Sequence, residues 1–87
     1  MVRRKNVIGK QLRKIRTSQN LSQGELAARA QRLGFDISRD TIAKIEAQTR
    51  WVGDFELVLL AKCLAIEASD LIPKSPDISE ILRWTQR

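Results

Sequence analysis

The chain has no histidine and no tyrosine, one cysteine and two prolines in 87 residues. Without histidine the commonest general base and imidazole ligand are missing, and Cys63 has no second thiol for a disulfide or a Cys/His metal site. Set in an apolar helix, Cys63 is expected to be a small core residue. No glycine-rich phosphate loop occurs. Carboxylates are present, but Asp36 with Asp40 and Glu67 with Asp70 stand at spacings that any charged helix or loop shows. The one catalytic chemistry left, a carboxylate nuclease using a divalent ion, has no motif to support it. The chain is therefore expected not to be an enzyme and to need no cofactor. Two tryptophans and two phenylalanines offer few platforms for stacking RNA bases. No run approaches the ~20 apolar residues of a membrane span, and the basic start leads into no apolar signal-peptide core. The expected location is cytoplasmic, with no membrane partner.

What is present is a small basic helical chain. Its apolar content of 43% is mostly Leu, Ile and Ala, which suits a helical bundle. The net charge of +6 is uneven: residues 1–50 hold twelve Lys/Arg against four Asp/Glu, and residues 51–87 hold four against six. A half-domain at +8 attracts polyphosphate, with an affinity that falls with salt.

Two segments carry the local signal. Ser22 and Glu25 have the spacing of a capping box, so a helix is expected to start at Gln23. Leu26, Ala27, Ala30 and Leu33 then form one apolar stripe that ends at Gly34. Ser38 is the next cap, and beyond it Ile42 and Ile45 turn inward while Arg39, Asp40, Thr41 and Lys44 share the outer part of the helix. Upstream, Ile8, Leu12 and Ile15 recur at i, i+4 and i+7, giving a first helix with Lys10, Arg13 and Lys14 on its other side. Downstream, Gly53-Asp54 opens a helix whose Leu57, Leu60, Ala61 and Leu64 face the core, with Asp54 and Glu56 complementing its dipole.

The stretch Leu21-Ser22-Gln23-Gly24-Glu25-Leu26-Ala27, followed by Ser38-Arg39-Asp40-Thr41-Ile42-Ala43-Lys44-Ile45-Glu46, resembles the signature of the phage-repressor-like (Cro-like, XRE) helix-turn-helix family. Residues 55–64, Ile66 and Asp70-Leu71-Ile72 look like that family's fourth and fifth helices, so the resemblance covers residues 7–72. It implies an all-α, five-helix lambda-repressor-like helix-turn-helix bundle, here with an added short C-terminal helix. The domains are then a basic, mobile arm over residues 1–6, the DNA-binding domain over 7–72, and a linker and helix over 73–87. One departure stands out. The interval from Ser22 to Ser38 is five residues longer than the family usually has, which is read as an added turn of the second helix around Gln31-Arg32-Leu33 plus a longer connector anchored by Phe35 and Ile37.

The function implied is a sequence-specific regulator that binds double-stranded DNA, a transcriptional repressor. Arg39, Asp40, Thr41 and Lys44 are the expected base readers: Arg39 and Lys44 donate to guanine, Asp40 accepts from cytosine, and Thr41 meets a thymine methyl or a phosphate. Arg13, Arg16, Gln23, Thr49 and Arg50 are the expected phosphate contacts. The resemblance also implies an ion pair between Arg16 and Glu46. Trp51 is expected to pack under its loop. Ile78, Ile81, Leu82 and Trp84 make an apolar stripe, read as the seat of a homodimer or as a cap folded back on the chain's own core. The alternative function is an antitoxin or adaptor whose main role is to bind a protein partner.

Overall fold

The computed structural model describes residues 4–74 and Leu82. Helix α1 is Gly9–Ser18, α2 Gln23–Arg32, α3 Arg39–Glu46 and α4 Asp54–Cys63, followed by a single 3₁₀ turn, Ala68–Leu71. No strand occurs among the described residues. None of their helices is long and apolar enough to cross a membrane.

Each helix start is built from the residues that precede it. The Ser22 hydroxyl accepts from the Glu25 amide at 3.0 Å while the Glu25 carboxylate accepts from the Ser22 amide at 2.9 Å, the capping box expected from the spacing. Ser38 accepts from the Thr41 amide at 3.1 Å. At α4 the carboxylate of Glu56 accepts from the Gly53 amide at 3.0 Å. Helix α1 takes its cap from further upstream: the Asn6 side-chain oxygen accepts from the amides of Ile8 at 3.1 Å and Gly9 at 2.8 Å.

The four helices end alike. In each, the second residue past the helix turns into the left-handed region: Asn20, Gly34, Gln48 and Ala65, with φ between 55° and 88°. The amides of these residues and the next return to the last carbonyls, as in Gly34 to Gln31 and Phe35 to Ala30, or Ala65 to Lys62 and Ile66 to Ala61. This is the Schellman arrangement, which satisfies carbonyls that the helix leaves open. Two side chains add to it at α4, where Arg29 donates to the Cys63 carbonyl at 3.0 Å and Gln19 to that of Leu64 at 2.8 Å.

The core gathers one stripe from every element. Leu12, Leu26, Ile37, Ile42, Ile45, Leu60, Leu64 and Leu71 are fully buried. Cys63 is buried with them, and loss of solvent pushes its thiol pKa up, so it behaves as a small apolar residue. Gly9 lets α1 lie directly on the end of α3, where an added Cβ would stand 2.4 Å from the Ile45 carbonyl oxygen.

Three expectations change. The fifth helix is only the four-residue 3₁₀ turn, because Pro73 holds Ile72 extended and stops further winding. The second helix does run through Gln31 and Arg32, but it closes there, so Leu33 leaves the apolar stripe and is 58% exposed. The rest of the long interval is a fixed connector: Ile37 is buried, Phe35 packs at the core's edge, and Gln31 donates to the Ile37 carbonyl at 3.0 Å. Finally, residues 4–6 are anchored rather than loose. Lys5 donates its amide to the Gln48 carbonyl at 2.9 Å, and Asn6 donates to the carbonyls of Ile45 and Arg50. The expected linker and C-terminal helix over 73–87 lie outside the described residues except for Pro73, Lys74 and Leu82.

Candidate nucleic-acid interface

Helix α3 is amphipathic in a way that separates structure from chemistry. Ile42, Ile45 and Glu46 turn inward and are buried, while Arg39, Asp40 and Lys44 are exposed and Thr41 and Ala43 half-buried. Arg39 has no ion-pair or hydrogen-bond partner among the described residues. Asp40 and Lys44 pair with each other at 3.0 Å across one helical turn, both well exposed. Such a pair stabilises a helix by only about 0.3–0.5 kcal/mol, so a ligand can separate the two charges easily. Thr41 shares its hydroxyl with Ser38 at 3.1 Å. All four expected base readers thus lie on one helix face or at its edge.

Beside this face lies the start of α2. Gln23, Ser38, Arg39, Asp40 and Ala43 line an open groove of about 480 Å³ between the two helices. The Gln23 side chain donates to Glu46 at 3.0 Å, and Glu46 also accepts from the Arg16 Nε at 2.6 Å and Nη2 at 3.0 Å. Arg16 sends its third bond to the Leu21 carbonyl at 2.6 Å. One buried carboxylate therefore ties α1, the start of α2 and the end of α3 together. The hydrogen bond to Glu46 raises the Arg16 pKa further, against the opposing effect of burial.

This geometry reassigns part of the expected phosphate set. Arg16 is 8% exposed with all its guanidinium nitrogens engaged, so it is a structural residue and cannot also contact a phosphate. Arg50 forms a two-pronged pair with Glu56, both bonds at 2.9 Å, and also donates to the Trp51 carbonyl. That partner holds the Glu56 carboxyl below the usual range, with the Gly53 amide adding to the effect. The Arg50 side chain stays 37% exposed, so a phosphate there competes with Glu56 for the guanidinium. Arg13 is exposed on α1, and Thr49 is exposed after α3, its hydroxyl donating to the Lys44 carbonyl at 3.2 Å. Trp51 is 64% exposed, so it does not pack under the loop.

Three contributors escaped the sequence reading. Asn6 and the buried Gln48 bridge the loop behind α3: Gln48 donates to the Asn6 carbonyl at 3.0 Å, and the Gln48 side-chain oxygen accepts from Arg4. Gly9 sets the approach of α1 to that loop. Asn6 had a detectable signal, an asparagine just ahead of the first apolar repeat. Gln48 and Gly9 had none, since their roles depend on contacts made across the fold.

The Helix-turn-helix family model matches residues 12–71. Among solved structures, the restriction-modification controller protein C.AhdI from Aeromonas hydrophila is similar, with a TM-score of 0.66 and 32% sequence identity over 75% of this chain and 87% of that one. No curated protein matches. The family match spans well over half of the chain and includes both capped helices, and the chain belongs to the Cro-like (XRE) helix-turn-helix family of DNA-binding transcriptional regulators.

Proposed function

We propose that the chain reads a defined sequence in the major groove of double-stranded DNA and acts as a homodimeric repressor, by binding and not by catalysis. The observation that carries this is the exposed face of α3, with the unpaired Arg39 beside a weakly paired Asp40 and Lys44. A guanidinium fork matches guanine O6 and N7, an ammonium donates to either, and a carboxylate accepts from cytosine N4. Arg13, Thr49 and the start of α2 at Gln23 supply sequence-independent contacts to the backbone, and Arg50 joins them if phosphate displaces Glu56. Likeness to a restriction-modification controller supports a target among genes of that kind.

Selection of bound duplexes from a random pool tests the reading. Enrichment of one site, repeated in two half-sites about a helical turn apart, is the expected result. Affinity for that site should fall linearly in log–log form with salt, at a slope near −0.9 per phosphate neutralised. A pool that stays random after selection contradicts the reading.

A further inference from the structure

The turn after α3 is fixed in its backbone and open at one side chain. Thr49 brings its amide, at 3.0 Å, and its hydroxyl, at 3.2 Å, to the Lys44 carbonyl, and Asn6 donates to the Arg50 carbonyl at 2.9 Å. Arg50 is therefore held at the end of α3 that carries Lys44. Its guanidinium reaches the first turn of α4, where the Glu56 carboxylate accepts from both terminal nitrogens at 2.9 Å, and it donates to the Trp51 carbonyl at 3.0 Å. The Arg50 side chain stays partly exposed, whereas that of Glu56 is 15% exposed. Glu56 also closes the α4 cap by accepting from the Gly53 amide at 3.0 Å. Arg50 is the one cation between α3 and α4, and the protein's own carboxylate neutralises it.

We propose that Glu56 is a specificity-determining residue, which withholds Arg50 from loosely held duplexes and releases it to a phosphate only when α3 has docked in register. The inference rests on the DNA-reading function proposed above. Non-specific complexes draw on the positive field of the protein, and Glu56 cancels the Arg50 share of that field at its source. Forked bonds from a guanidinium to a carboxylate or to a phosphate are alike in strength and strict in geometry. Exchange of one for the other therefore gains little unless the phosphate stands at the right distance and angle, which docking of α3 in register supplies. Letting go also has a cost, because the largely covered Glu56 carboxylate is left with the Gly53 amide alone. Close docking offsets that cost and loose docking does not, so the pair widens the gap between the preferred site and other DNA.

Fluorescence anisotropy titrations of the full chain with the selected site and with an unrelated duplex test it. Glu56→Gln removes the charge but can still accept from the Gly53 amide, so α4 keeps its cap, and an unchanged circular dichroism spectrum checks the fold. Asp54→Asn removes the same charge two residues earlier, from a carboxylate that accepts from the Phe55 amide and not from Arg50. Glu56→Gln should tighten the unrelated duplex several-fold more than Asp54→Asn does, and should lower the ratio of site to unrelated affinity. In an Arg50→Ala background the two substitutions should act alike. Equal effects of the two in the otherwise native chain, or an unchanged ratio in Glu56→Gln, would overturn the proposal. The native chain is titrated first: binding without preference for any site is a failure of the DNA-reading function and takes this proposal with it, whereas preference that does not respond to Glu56→Gln is a failure of this proposal alone.

Discussion

Glu46 accepts two bonds from Arg16 and one from Gln23, so one carboxylate fixes how the three helices around the polar face of α3 meet. Removing its charge leaves the buried Arg16 guanidinium with no counter-charge, only neutral acceptors such as the Leu21 carbonyl. Such a loss costs roughly 3–5 kcal/mol, a large part of the stability of a domain this small. Glu46→Gln should therefore unfold at clearly lower urea, and an unchanged midpoint would mean that the pair does not hold the helices. At this scale the sequence was informative where chemistry is local or tied to a motif: Ser22, Glu25 and Ser38 cap as their spacing implies, and the Arg16–Glu46 pair follows from the family resemblance. It misled where a charge meets an unforeseen partner. Arg50 looks in sequence like any surface arginine, and only the fold brings Glu56 to it.

The helices were legible because apolar period and caps agree over residues 9–63, and their ends less so because Gly34 and, more weakly, Asn20 advertise the left-handed turn, whereas Gln48 and Ala65 do not. Ala65 performs that turn with a Cβ, a conformation that costs an L-residue about 1–2 kcal/mol. After the extra chain entropy of glycine, Ala65→Gly should stabilise the domain by about 0.5–1 kcal/mol, seen as a raised denaturation midpoint. A fall would show that the Ala65 side chain contributes packing. Helix α4 also carries the clearest pH response. The Glu56 carboxyl is held below its ordinary range in the folded state, chiefly by Arg50. Its contribution is thus complete above the usual carboxylate pKa and is lost as pH falls through the lowered folded value. Glu56→Gln should shallow the acid limb of the stability profile below about pH 4.5, and an acid limb identical to that of the wild type would assign acid lability to other carboxylates.

For the molecule as a whole, one small core sets what each helix turns outward. It buries one stripe per helix, and in doing so leaves the polar face of α3 and the apolar face of α4 outward. Fold class and the polar outer face of α3 followed from period, caps and resemblance. The exposed apolar face of α4 did not, because Phe55 and Val58 are as apolar as the Leu60 and Leu64 side that the spacing sends to the core. The claim on which the account turns is that α3 reads bases. Competition binding of Arg39→Ala against single-base variants of the selected site tests it most directly. The account predicts a loss of about 1–3 kcal/mol on the preferred duplex, with preference relaxed at one base pair and retained at the others. An equal loss on every variant, or none on any, would contradict it.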